Sequence, residues 1–337
     1  MLALQLAAHK QLGIIDLPLR ELKPDELLIK IANAGICGTD FHLFAGEAKV
    51  DLPVVIGHEF CGIVIEKGSN TDGYTIDDHV VIDPNIYCGK CSYCRNGKIN
   101  FCENLTALGV NINGGLAEYC IVPSSQVYHL SESLPFSIAS FTEPLSCCLR
   151  GMDIIKIKQG ETVAIIGGGT IGLFMVQLAK ISGASNIILI EPVDYKQKIG
   201  LSVGANHVFF PSDDLLFRKI SDLTNGGVDV AIECVGHPSA VNLTFEITKR
   251  GGRILVFGLS PNNSKIEFNL QDAFYKELSI NTSLLNPFTF QRAIDLLSSN
   301  QICTEKFLTL EMDLSDTQKL FYSGKDNGII KYQFVNQ

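Results

Sequence analysis

From about Gly160 the chain adopts one rhythm that few folds can accommodate: an apolar strand, a glycine turn, an amphipathic helix, then another apolar strand. ETVAIIGGG, TIGLFMVQLAKISGA and NIILIEP set the pattern. It continues through KQKIGLSVGA, HVFF, VDVAIECVG, AVNLTFEITKRGG, RILVFGL and ELSINTSLL. Strands apolar on both faces, alternating with helices, predict a parallel sheet covered on each side, a doubly wound α/β domain. At its first turn, Gly167, Gly169 and Gly172 fit G-x-G-x-x-G, with Thr170 and Ile171 inside the motif. The pattern alone is weak, but here a strand precedes it and a helix follows. The first glycine then makes the tight turn, the second lets the backbone approach a pyrophosphate, and the third allows close helix packing. Glu191 ends the next strand about twenty residues on, where a carboxylate accepts the ribose hydroxyls of an adenosine and repels a 2'-phosphate. The cofactor expectation is therefore NAD, with Lys196 one helical turn further as a candidate contact or a solvated helix face.

The first ~145 residues read differently. ELLIKIANAG, VVIGHEFCGIVIEKG, DHVVIDP and LAEYCIVP are short β-type runs broken by Gly, Pro, Asn and Asp, as in a barrel-like or sandwich domain. Inside this half, CGKCSYCRNGKINFC spaces Cys88, Cys91, Cys94 and Cys102 as four thiolates on one loop, the donor set of a closed tetrahedral zinc site. Disulfides are the competing reading. MLALQLAAHK does not resemble a secretory leader, so reduced thiols and a cytoplasmic setting are expected. The other seven of the 11 cysteines are scattered and read mostly as small buried hydrophobes. Beyond Asn286 the chain returns to a helix, FTFQRAIDLLSSN, and a final strand-like IIKYQFV. No run reaches the ~18 apolar residues of a membrane span. A net charge of −9 without a basic cluster argues against a nucleic-acid partner.

Three further residues have metal chemistry in common. Cys37 lies in GICGTDFH, and His58 and Glu59 lie in IGHEF; thiolate, imidazole and carboxylate can hold a zinc that keeps one position open. Each has a bland alternative as core or surface. Thr39, Asp40 and His42 accompany Cys37, and TEPLS places Glu143 just before the cofactor domain.

Taken in order, GICGTDFH, GHEF, the four-cysteine loop, NGGLAEYCIVP, TEPLS, GGGTIG and the terminal IIKYQFV resemble the zinc-dependent medium-chain dehydrogenases, in particular the polyol (sorbitol-type) and threonine dehydrogenase branch. The resemblance covers essentially the whole chain. It implies a GroES-like catalytic domain over 1–146 with a zinc lobe at 85–104, a Rossmann NAD-binding domain over 147–285, and a return to the catalytic domain over 286–337. It also implies two zincs per chain. The catalytic one is held by Cys37 and His58, with Glu59 as ligand or exchangeable neighbour and Glu143 ligating or holding a water; the structural one is held by the four cysteines of the lobe. Asp40 would orient His58, and Thr39 and His42 would form a proton relay.

The implied activity is NAD-dependent oxidation of a secondary alcohol, a polyol or sugar alcohol, to the ketone by hydride transfer. Threonine 3-dehydrogenase or sugar-alcohol-phosphate dehydrogenase chemistry is the alternative, and an inactive NAD-binding structural protein is the alternative of another class. Relatives of this kind are homodimers or homotetramers that act on small molecules, without membrane or nucleic acid. In NTSLLNPFTF, Leu284, Leu285 and Phe288 are candidates for the substrate pocket or for the core, as are Leu43, Phe44 and Tyr93 elsewhere.

Overall fold

A computed structural model describes residues Met1–Asn336. The chain forms two compact units, Met1–Ser146 with Asn286–Gln337, and Cys147–Leu285.

The second unit is a six-stranded parallel sheet. Numbered by position within the unit, its strands run in the order 3-2-1-4-5-6, from His207–Phe209 through Asn186–Ile190, Thr162–Ile166, Val228–Glu233 and Thr248–Val256 to Ser279–Thr282. This is the dinucleotide-fold order. Its central strands are apolar on both faces because helices cover both; Val163, Ala164, Ile165, Ile188, Leu189, Val230 and Ile232 are fully buried. The glycine turn is shaped as the motif requires. Gly167 has φ +99°, open to glycine but costly for side chains. A Cβ on Gly172 would overlap the Gly167 carbonyl, so the helix Thr170–Ile181 packs against the turn only because that residue is bare.

The first unit is built on a mostly antiparallel seven-stranded sheet. Its centre is the long strand Glu26–Ile36, flanked by Glu59–Lys67 and by the chain's last strand, Lys331–Val335. Leu27, Ile29, Ile31, Val64, Val80 and Phe334 point into one shared core. The register sets Gly35 opposite both Glu59 and Gln333. The end of the central strand, the start of its neighbour and the start of the last strand therefore lie at one end of the sheet. Among the described residues no helix is long and apolar enough to cross a membrane.

Four buried polar side chains tie this unit together where the chain leaves and re-enters it. Asp83 Oδ1 accepts from Asn85 N at 3.1 Å, Asn85 Nδ2 at 3.3 Å and Asn286 Nδ2 at 3.3 Å. Asn286 Nδ2 also donates to Ser146 Oγ at 2.9 Å, whose own hydroxyl donates to the Glu143 carbonyl at 2.6 Å. Burial disfavours the charged form and lifts the Asp83 carboxyl from 3.8 to about 6, although the Asn85 and Asn286 donors work the other way. A carboxyl raised on folding contributes stability that is present below its unfolded value and is lost as pH rises through its folded one. Asp83→Asn is therefore expected to stabilise the protein at pH 8 and change little at pH 4, a differential of about 3 kcal/mol. Urea melts at the two pH values measure it; an equal effect at both would contradict the raised carboxyl.

Candidate metal centre and nucleotide turn

The sheet end described above gathers Cys37, His58 and Glu59, whose ligating atoms all lie within 4.8 Å of one another. Each arrives by a local device. Cys37 follows the last residue of the central strand and caps the helix Gly38–Ala45. Its backbone N–H donates to Asp40 Oδ2 at 2.8 Å, so the fully buried Asp40 is held by the same turn. Asp40 Oδ1 stands 3.2 Å from His58 Nδ1 as its ion-pair partner, the geometry of a carboxylate that orients a ligating ring, although both atoms are buried without a hydrogen bond among the described residues. Burial opposes a charged His58, but the Asp40 carboxylate and then Cys37 outweigh it and hold the imidazole well above its usual range. Burial likewise opposes the Asp40 charge, and His58 more than restores it, keeping that carboxyl low. A site that favours positive charge among an imidazole, a thiol and a carboxylate fits a zinc, which would take the place of the ring proton.

Lys331 is the group that sequence reasoning missed. It sits at the first position of the last strand, 4% exposed, with its ammonium on Glu59, itself 1% exposed. Burial opposes the ammonium, but Glu59 and then Cys37 more than compensate, and its pKa lies above the ordinary value. Gly35 makes room for the pair: a Cβ there would come within 2.8 Å of Lys331 Cε and closer still to Glu59. One signal was available, a lone lysine inside the apolar IIKYQFV.

Thr39 Oγ1 is 3.7 Å from Cys37 Sγ. His42, on the same helix, pairs through Nδ1 with Glu47 Oε2 at 2.6 Å. Glu143 is buried in the first turn of the helix Thr142–Ile155 and is not among the three side chains that gather at the sheet end. Leu43 is core, 1% exposed, and Phe44 packs on Phe321 and Tyr322. Leu284 and Phe288 are 49% and 67% exposed, so core packing does not account for them.

The ligating atoms of Cys88, Cys91, Cys94 and Cys102 also lie within 4.8 Å of one another, and no disulfide joins them. Backbone N–H groups of Lys90 and Cys91 lower the Cys88 thiol to about 6, and those of Cys94 and Glu103 lower Cys91. Cys94 is pushed up to about 12 by burial and by Cys91. A loop that stabilises two thiolates while suppressing a third suits a cation that would take all four.

In the other unit, Glu191 is 5% exposed and accepts from Gly168 N at 2.5 Å and Val193 N at 2.9 Å. It thus braces the glycine turn from the neighbouring strand. Lys196 lies half-buried on the next helix, Asp194–Val203.

With this geometry in place, the comparisons are specific. Residues 23–132 match the alcohol dehydrogenase GroES-like domain, and residues 170–299 match the zinc-binding dehydrogenase domain. An L-threonine 3-dehydrogenase of Pyrococcus abyssi is 34% identical over 76% of this chain and 75% of its own. D-arabinitol dehydrogenase 1 of Uromyces fabae is 31% identical over 95% of this chain and 92% of its own. A zinc-binding dehydrogenase structure from Sinorhizobium meliloti 1021, bound to NADP, superposes with a TM-score of 0.96 at 37% identity over 99% of both chains. The chain belongs to the zinc-dependent medium-chain dehydrogenase family. Within it, the relatives place the chain in the polyol and threonine dehydrogenase branch.

The Lys331–Glu59 pair yields a testable consequence. Removing one partner of a buried pair strands the other charge, at a cost of about 3 to 5 kcal/mol, whereas replacing both is far milder. Lys331→Met is expected to lower stability by that amount in urea melts of metal-free protein, and Lys331→Met with Glu59→Gln to recover most of it. Additive losses in the double variant would show that the two side chains do not act on each other.

Proposed function

We propose that this protein is a zinc- and NAD-dependent dehydrogenase that oxidises a secondary alcohol, a polyol or sugar alcohol, to the ketone. The observation that carries the reading is the Cys37, His58 and Glu59 trio, built with its orienting Asp40 at one end of a GroES-like sheet. When bound, zinc polarises the alcohol oxygen and the nicotinamide accepts the hydride. The chain supplies position and proton control. Cys37 and His58 are the metal ligands; Glu59, tethered by Lys331, is an exchangeable neighbour; Glu143 serves the same metal or its water. Thr39 takes the alcohol proton and His42 passes it outward. Cys88, Cys91, Cys94 and Cys102 hold a second, structural zinc.

Gly167, Gly169, Thr170, Ile171 and Gly172 cradle the pyrophosphate, and Glu191, with Lys196 beyond it, lies at the adenosine ribose. The names of the relatives support a polyol and, as the second reading, L-threonine. The structural relative with NADP makes the cofactor preference a point to test in this chain.

The enzyme is read as a cytoplasmic homo-oligomer. The strand Ser279–Thr282 is an open sheet edge with Ile280 46% exposed, and Phe274 nearby in sequence is 78% exposed. Light scattering should give a mass of two or four chains of 36.8 kDa; a monomer would remove this part of the reading.

The decisive experiment is NAD reduction screened over polyols, L-threonine and sugar-alcohol phosphates, alongside metal content. Two zincs per chain and turnover of a polyol are expected; His58→Ala should abolish turnover while NADH still binds. Turnover by zinc-free protein would overturn the mechanism, and zinc only at the four cysteines would favour an inactive NAD-binding protein.

The same assay decides the cofactor. Wild type should prefer NAD, and Glu191→Ser should shift the NAD-to-NADP ratio of kcat/KM by about a hundredfold, roughly 3 kcal/mol. Equal use of both cofactors by wild type would move the ribose contact elsewhere.

A further inference from the structure

The helix Gly38–Ala45 ends in a way that gives His42 a partner. Gly46 closes it in the left-handed region at φ +80°, its N–H donating to Leu43 O at 3.1 Å while the next N–H, of Glu47, donates to His42 O at 2.8 Å. A side chain at position 46 would be strained there and would stand 3.0 Å from the His9 ring. The reversal brings Glu47, five residues on, back beside His42. Its Oε2 lies 2.6 Å from Nδ1, with the imidazole 26% and the carboxylate 47% exposed.

We propose that Glu47 is the positioning residue of the proton path: it holds the Nδ1–H of His42 and so keeps Nε2 as the proton acceptor. The idea rests on the reading of Thr39 and His42 as that path. A neutral imidazole has one donor and one acceptor nitrogen, and a hydrogen bond to one decides the other. With Nδ1–H committed to the carboxylate, the Nε2 lone pair is free. A proton reaching His42 forms Nε2–H as the donor's O–H bond breaks. The imidazolium then returns its Nε2 proton to water. The Nδ1–H bond, held by the Glu47 carboxylate, is never broken. A 2.6 Å separation is that of a charge-assisted bond, stronger than a neutral one.

Two measurements on the zinc-loaded full chain test this. The first needs no alcohol: nitrogen-15 NMR of histidine-labelled protein, with His42 assigned among the seven histidines by its loss in His42→Ala. Wild type should show neutral His42 protonated on Nδ1, and Glu47→Ala should shift it toward Nε2. Protonation on Nε2 in wild type overturns the proposal.

The second is D-sorbitol oxidation with NAD at low buffer concentration. Glu47→Ala should reduce kcat by about tenfold with KM little changed, raise the solvent deuterium isotope effect, and recover in imidazole buffer, at an unchanged melting temperature. Glu47→Asp should restore part of the rate. Slow turnover in His42→Ala beside wild-type turnover and isotope effect in Glu47→Ala overturns the role of Glu47 alone. Wild-type behaviour in both variants removes the His42 path itself, and the proposal with it.

Discussion

The accumulation of negative charge at one end of the first unit's sheet governs how the surrounding residues are arranged. Asp40 and Glu59 are buried there beside the half-buried Cys37. Ionised groups of one sign cannot be buried together without cations of matching position. One cation is built in, the Lys331 ammonium on Glu59. Without metal the His58 imidazolium favoured by Asp40 is another, and a divalent metal on that ring would displace its proton and take over the same balancing role. The bare Gly35, the turn at Cys37 and the return of the chain's last strand beside the central one all serve this convergence.

Much of this architecture was legible in the sequence, for a physical reason. A parallel sheet buried on both faces demands unbroken apolar strands, and helices that cover it demand the 3.6-residue period; the two alternate too regularly from Gly160 to be mistaken. The glycines were legible because close approach leaves no room for a side chain. The β half was less so. Pairing between distant segments, such as the last strand with the central one, leaves no local trace. The strand Thr309–Met312 and the helix Leu314–Ser323 were not anticipated, since two of the strand's four residues are exposed and alternation over four positions is weak.

The same distinction holds at the site. Cys37, His58 and Glu59 could be named because their chemistry is rare in strand-rich segments, and Asp40 because it lies three residues from Cys37. Lys331 lies 272 residues from Glu59, and only the sheet register makes them neighbours. Leu43, which shares a helix with His42, is core, and its neighbour Phe44 is partly buried against that core. Exposure separated those residues from Leu284 and Phe288, and exposure cannot be read from an isolated apolar side chain.

Glu143 shows how a local network can matter beyond its own bonds. Its helix turn is pinned from behind: Ser146 donates to its carbonyl, Asn286 donates to Ser146, and Asp83 accepts from Asn286. Thr289 adds a bond to the Ser146 carbonyl at 2.7 Å. Each of these groups is buried, so breaking one strands the next and the cost is shared along the chain of bonds. The position of the Glu143 backbone is therefore determined by residues from three separate stretches of sequence.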